Sequence, residues 1–179
     1  SHLSLQDLAY LLQNKTHEYR LTSLLILVNK YNKANEEEKK NIVDFYLKHT
    51  PFINNWDLVD SSASFILGDY LLEKDKKILY ELVKSENLWE RRIAIVSTHA
   101  FIKKNKFEDT FKLTELLIKD KHDLIHKATG WMLREVGKKD QKALEEFLNK
   151  HCKNLPRTCL RYSIERFDEN KRKYYLSLK

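Results

Sequence analysis

The sequence contains little of the two residues that build tight turns. Only three glycines and two prolines occur among its 179 residues. Hairpins and most β-turns depend on these residues, so a protein made of many short strands is excluded. The chain is nevertheless long enough to bury a substantial core. We therefore expect an all-α protein with a single domain over residues 1–179.

Cysteines and long apolar segments are equally scarce. The two cysteines, Cys152 and Cys159, lack the second pair that a zinc framework would need, and we interpret both as packing residues. The longest aliphatic run covers residues 24–28, far too few to cross a bilayer, and we expect no secretory leader. These absences favour a soluble cytoplasmic protein, a setting that argues against a disulfide.

Common catalytic and metal-binding motifs are also missing. The chain has no GxSxG element, and three scattered glycines cannot form a phosphate-binding loop. His122 and His126 have the spacing of metal ligands, but Asp123 stands where a zinc metalloprotease has glutamate. An aspartate at the start of a helix explains this segment better than zinc does. We predict neither a metal nor a cofactor.

The charge balance is basic. Thirty-three lysines and arginines against 26 acids give a formal charge of +7 and a pI of about 9.2. Such an excess points to a polyanionic partner, although charge alone does not separate nucleic acid from an acidic protein or a membrane surface. Three of the acids cluster at residues 36–38, where the start of a helix favours them.

A cationic or aromatic residue recurs along the chain at steps of 36, 36, 35 and 34 residues: Arg20, Trp56, Arg92, Lys127 and Arg161. Each lies near the start of an apolar helical stretch. A period in this range, with two helices per period, is typical of α-helical repeat arrays. We expect these positions to line the concave side of a superhelix.

Periodicity and capping residues predict eleven helices in alternating outer and inner layers. The predicted ranges are 4–13, 17–33, 36–49, 55–72, 75–84, 88–104, 108–119, 123–138, 140–152, 156–167 and 169–177. The predicted caps are Asn35, Asn54 or Asn55, Asn87 and Pro156.

One acid interrupts the repeat pattern. The residues four positions further along the same helix face are Leu24, Asp60, Val96, Trp131 and Glu165. A carboxylate where repeat neighbours are apolar costs desolvation free energy unless it is paired. Trp56 shares a face with Asp60, and Arg92 and Trp131 occupy the same registers on later helices. Together they would form a site for a cationic planar guest beside a phosphate.

Structural interpretations of the same residues remain open. Asp60 could pair with Arg92 to join neighbouring repeats, and tryptophans between helices often belong to the core. Gly68 and Gly130 lie inside predicted helices, where each costs about 1 kcal/mol relative to alanine. Close helix packing explains such glycines, and Gly130 could alternatively leave room for a ligand beside Trp131.

Four motifs carry a family resemblance: NNWDLVD (54–60), NLWERRIAIV (87–96), DKHDLIHKATGWMLREVGK (120–138) and LPRTCLRYSIERF (155–167). In this order they resemble the bacterial alkylpurine DNA glycosylases built from HEAT-like repeats, the AlkD family, over essentially the whole chain. The resemblance implies a right-handed α-α superhelix, or α-solenoid, that holds duplex DNA on its concave face. Family members excise N3- and N7-alkylated purines, which are cationic.

The resemblance also implies roles for individual residues. Asp60 matches the catalytic aspartate, Trp56 and Trp131 match the site tryptophans, and Arg92 matches the site arginine. The remaining cationic repeat positions are expected to contact DNA: Arg20, Lys127 and Arg161. Enzymes of this family act without flipping the lesion out of the duplex, unlike most glycosylases.

The resemblance implies a monomer that binds alkylated duplex DNA at the bacterial nucleoid, without a membrane or an obligate protein partner. Family members usually carry further helices before the point that matches Ser1, and we expect this domain to lack them. A non-catalytic scaffold that binds nucleic acid or protein through the same groove is the alternative. The enzyme requires Trp56, Asp60, Arg92 and Trp131 to converge, whereas a scaffold does not.

Overall fold

The structure, a computed structural model, describes residues 3–178. Over this range it contains α-helices, one 3₁₀ turn (Thr50–Phe52) and one π-helical turn (Ser64–Gly68), and no strand. The helices are α1 (Leu5–Leu12), α2 (His17–Lys33), α3 (Glu36–Lys48), α4 (Trp56–Asp60), α5 (Lys77–Leu82), α6 (Leu88–Ser97), α7 (His99–Lys103), α8 (Glu108–Leu117), α9 (Asp123–Lys139), α10 (Gln141–His151), α11 (Arg157–Ser163) and α12 (Glu169–Ser177). The all-α prediction is confirmed.

The helices stack as successive pairs with two layers. The inner helices α2, α4, α6, α9 and α11 contact one another in sequence order. The outer helices α1, α3, α5, α8 and α10 cover them, and α12 follows the last pair. This arrangement is the predicted helical repeat solenoid; the right-handed sense of its superhelix stays a prediction. None of the described helices is both long and apolar enough to span a bilayer.

Three of the helix starts follow from the predicted asparagine caps. Asn35 and Glu38 form a capping box, in which each side chain accepts a hydrogen bond from the backbone of the other residue. The Asn55 side chain accepts from the backbone N–H of Trp56, and Asn87 accepts from Trp89. These caps fix where the inner helices α4 and α6 begin, and so which side chains their first turns present.

The predicted helix 55–72 differs from the observed one in its middle. Helix α4 ends at Asp60, and the chain continues through the π-helical turn, where the N–H of Gly68 donates to the carbonyl of Ala63 at 2.9 Å. A β-carbon on Gly68 would collide with the carbonyl oxygen of Ser97, so glycine allows the close approach of α6. π-helical turns often accompany functional sites, and this one begins four residues after Asp60.

The predicted helix 88–104 is divided at Thr98 into α6 and α7. The Thr98 hydroxyl donates to the carbonyl of Ile95 at 2.7 Å, a local bond that competes with regular helix geometry. The division turns α7 so that His99 lies against the ring of Trp131 on α9.

The packing explanation holds for Gly130, as for Gly68. A β-carbon on Gly130 would lie 2.5 Å from the carbonyl oxygen of Cys159 and 2.6 Å from the β-carbon of Tyr162. Helix α11 therefore lies directly against the backbone of α9. Cys152 and Cys159 are both buried in the core, as predicted for packing residues.

Candidate functional site

Five predicted site residues converge on one cleft of about 460 Å³. Its wall is built from four successive inner helices, and its lining residues are Trp56, Asp60, Arg92, Leu124, Lys127, Trp131, Arg134 and Tyr162. The convergence of both tryptophans, the aspartate and the arginine is the arrangement that an enzyme requires. Leu124, Arg134 and Tyr162 also line the cleft and were not predicted from the sequence.

Asp60 and Arg92 form a two-point ion pair at the bottom of this cleft. The Nε–H of Arg92 donates to Oδ1 of Asp60 at 3.0 Å, and Nη2–H donates to Oδ2 at 2.8 Å. Nη1–H donates to the carbonyl of Leu124 at 2.6 Å. One guanidinium thus joins α4, α6 and α9. The salt bridge between Asp60 and Arg92, which the sequence left open as a structural alternative, is therefore present. It also fixes the carboxylate within the cleft.

The two partners differ in their access to solvent. The side chain of Asp60 is 19% exposed and that of Arg92 only 6%. Three of the five N–H groups of Arg92 are already occupied by protein oxygens. A molecule in the cleft would therefore meet the carboxylate first, with the guanidinium behind it.

Two opposing effects act on the pKa of Asp60. Burial is the larger and raises the pKa above its ordinary value, while the hydrogen bonds and charge of Arg92 lower it. The charge of Asp57, three residues earlier, adds a smaller upward effect. Arginine is permanently charged, so it favours the ionised carboxylate at neutral pH even in this dry position.

Aromatic rings form the side walls. Trp56 is the first residue of α4 and is 54% exposed, which is unusual for an indole in a protein without a partner. Trp131 is half-buried, and its Nε1–H donates to Oε1 of Glu135 at 3.1 Å. Tyr162 is a third ring and separates this cleft from the next one. Tyr162 could have been found from the sequence, because it directly follows Arg161, a predicted DNA contact on an inner helix.

A second cleft of about 410 Å³ continues toward the C-terminus. Lys127 and Tyr162 line both clefts. The second cleft is also lined by Asp123, Thr158, Arg161, Glu165 and Arg172. Lys127 pairs with Asp123 at 2.7 Å, which raises the pKa of the lysine. Arg161 is exposed and forms no ion pair within residues 3–178. The positive charge therefore extends beyond the first cleft.

The register predicted from the sequence needs a correction. Counted from the observed helix starts, the fifth residues of the inner helices are Leu21, Asp60, Arg92, Lys127 and Arg161. Trp56 is a first residue and Arg20 a fourth, so neither belongs to this column. Asp60 is therefore an acid in a column that holds a leucine before it and three cationic residues after it.

Arg20 does not lie in either cleft. Its Nη1–H groups donate to the carbonyls of Asn14 and Lys15, both at 3.1 Å, and so close the loop before α2. Arg91 makes the same contacts with the carbonyls of Ser85 and Glu86. The repeat-mate of Arg20 is thus Arg91 rather than Arg92, one residue from the sequence prediction.

The two histidines with metal-ligand spacing have local structural roles. Nδ1 of His122 accepts from the backbone N–H of Leu124 at 3.2 Å, so His122 rather than Asp123 caps α9. The ring of His126 hydrogen-bonds the carbonyl of Asp120 at 2.6 Å. No cluster with a metal-binding composition occurs among the described residues.

Two comparisons with known proteins gave matches. A family model described as "DNA alkylation repair enzyme" matches residues 2–167. A solved structure titled "Predicted DNA alkylation repair enzyme from Enterococcus faecalis" is similar in fold, with a TM-score of 0.73 and 20% sequence identity. The similarity covers 92% of this chain and 75% of that one. No curated protein matches the chain.

Proposed function

Because the chain belongs to the family of DNA alkylation repair enzymes, we propose that it is a DNA glycosylase that releases cationic N3- and N7-alkylated purines from duplex DNA. The observation that carries the proposal is the position of Asp60. A carboxylate fixed by a guanidinium, between two indoles and in a basic groove, suits a guest that becomes positively charged next to a phosphate.

The proposed reaction needs no general acid. An alkylated purine already carries a positive charge, so it leaves with the electrons of the glycosidic bond as a neutral base. Positive charge then develops on the deoxyribose. Asp60 stabilises this oxocarbenium-like state and accepts a proton from the water that attacks the anomeric carbon. The products are a free base and an abasic site. The lesioned nucleotide is not flipped out of the duplex before its base is released.

The remaining residues bind and orient the substrate. Trp56 and Trp131 contact the sugar and its neighbours and exclude bulk water. Lys127 and Arg161 contact the flanking phosphates, because they continue the column toward the second cleft. Two N–H groups of Arg92 remain for the phosphate contact that the sequence predicted. Its main role in this proposal is to position Asp60.

The test is base release by Asp60→Asn with Asp57→Asn as a matched control. Asp57 lies on the same helix, but its carboxylate accepts from the ring of His17 at 2.7 Å instead of lining the cleft. We expect Asp60→Asn to lose release of 7-methylguanine from methylated duplex while its DNA affinity changes little. We expect Asp57→Asn to retain release. Equal release by wild type and Asp60→Asn would refute the catalytic role.

The contact between Arg92 and Leu124 favours one alternative, a non-catalytic scaffold. This bond and the ion pair join three repeats, which a purely structural role would also explain. A scaffold would bind the alkylated duplex without releasing a base. Gel-shift and base-release assays on the same duplex therefore separate the two functions.

A further inference from the structure

The indole of Trp131 is held from two sides. Its Nε1–H donates to Oε1 of Glu135 at 3.1 Å, one helical turn further along α9. Its ring lies 5.7 Å from the ring of His99, with an angle of 48° between the planes. Burial lowers the pKa of His99, so this imidazole is neutral at physiological pH and contacts the indole as an uncharged ring.

The acceptor on Glu135 is itself fixed. Lys138 donates to the same Oε1 atom at 2.7 Å, and Nε of Arg134 lies 3.8 Å from it. The side chain of Glu135 is only 15% exposed, so water competes little for this oxygen. A hydrogen bond to an ionised, partly buried acceptor is stronger than one between neutral groups. The indole is thereby restricted to one orientation.

Glu135 lies outside the cleft that Trp131 lines. Its contribution to the cleft is therefore indirect, through the direction in which the indole face points. A tryptophan side chain has two rotatable bonds, and without the hydrogen bond only packing, including the contact with His99, limits rotation of the ring. A ring that turns would leave the sugar of the lesioned nucleotide without a fixed wall.

We propose that Glu135 is a positioning residue that fixes the indole of Trp131 as one wall of the cleft. The consequence for base release depends on the glycosylase function proposed above, whereas the fixed orientation does not. The fixed orientation of the indole can therefore be tested even if the glycosylase function is refuted.

The structural part is tested by the indole N–H resonance of Trp131 in the ¹⁵N-labelled chain, assigned by comparison with Trp131→Phe. Glu135→Leu should shift this resonance upfield and make its hydrogen exchange at least about tenfold faster, because the acceptor is lost. Glu135→Gln keeps a carbonyl oxygen and should largely restore protection. Glu146→Leu, which removes an exposed carboxylate of the outer helix α10, is the control. Unchanged exchange in Glu135→Leu would overturn the proposal.

The functional part is tested by a double-mutant cycle on base release. Loss of one hydrogen bond corresponds to about a tenfold fall in kcat for Glu135→Leu, with KM changed much less. Glu135→Leu should have no further effect in a Trp131→Phe background, where the donor is absent. Independent effects of the two substitutions would overturn the positioning role. Absence of base release by the wild-type chain would instead refute the glycosylase function and leave the resonance test valid.

Discussion

Arg92→Leu tests whether the guanidinium acts on Asp60 or only joins the repeats. The substitution keeps an apolar stem but removes the bonds to both carboxylate oxygens and to the carbonyl of Leu124. It leaves the carboxylate, 19% exposed, without its counter-ion. Breaking a buried pair from one side costs roughly 3–5 kcal/mol, and the remaining exposure of Asp60 favours the lower end. For a domain of this size, about 3 kcal/mol lowers Tm by roughly 6–12 °C.

The neighbouring arginine provides a matched control. Arg91 pairs with Asp120 at 2.7 Å and bonds two carbonyls, so Arg91→Leu also breaks one ion pair and a set of backbone contacts. Its partner does not line the cleft. We expect both variants to lose similar thermal stability, but only Arg92→Leu to release base about 100-fold more slowly, since a misplacement of about 1 Å can have that effect.

The assay combines thermal unfolding with single-turnover base release well below both melting temperatures. The pH dependence provides a second check. Burial raises the pKa of Asp60 in the folded protein, and removal of Arg92 strengthens that effect. An acid with a raised folded pKa stabilises the protein at low pH and loses this contribution as pH rises. The Tm deficit of Arg92→Leu should therefore shrink toward pH 4. Equal activity of the two variants would refute the positioning role.

Three further predictions concern pH, charge and packing. The acid limb of base release should lie above the ordinary aspartate range near pH 4, because burial raises the pKa of Asp60; a limb below pH 4 would contradict this. Lys127→Gln should reduce the slope of log affinity against log salt by about 0.9, whereas Lys112→Gln on the outer helix α8 should not. In urea unfolding, Gly130→Ala should destabilise by about 1–3 kcal/mol, whereas Gly137→Ala, which meets only the flexible end of Leu144, should change stability by less than about 1 kcal/mol.

The helices and their caps were predictable because they depend on local sequence. Asn35, Asn55 and Asn87 each accept a hydrogen bond from a backbone N–H at the start of a helix, and that bond needs no distant partner. The cleft was also predictable, since residues within the first three turns of successive inner helices lie close together in any stack of this kind. The predicted convergence of Trp56, Asp60, Arg92 and Trp131 is confirmed in this way.

The register was not predictable from the repeat interval. The inner helices α2, α4, α6, α9 and α11 begin at intervals of 39, 32, 35 and 34 residues, although the chosen residues recur almost evenly. The 3₁₀ turn before α4 lengthens the first interval. Counting at even intervals therefore aligned Trp56 with Arg92. Counting from the observed helix starts aligns Asp60 with Arg92 instead. The π-helical turn was equally hidden, because it depends on how Gly68 meets the carbonyl of Ser97 on another helix.

In the proposed function one groove holds a cation and its phosphates together, and the order of charges in the corrected register is compatible with this. Asp60 and Arg92 are neighbours in the column, and their charges cancel locally through the ion pair. Further along the column Lys127 is paired with Asp123, and Arg161, which forms no ion pair within residues 3–178, keeps positive charge at the second cleft. We therefore expect the potential to be more positive near Arg161 than beside the Asp60 carboxylate. A strand whose phosphates bind Lys127 and Arg161 would place one sugar beside Asp60, where developing positive charge is stabilised most.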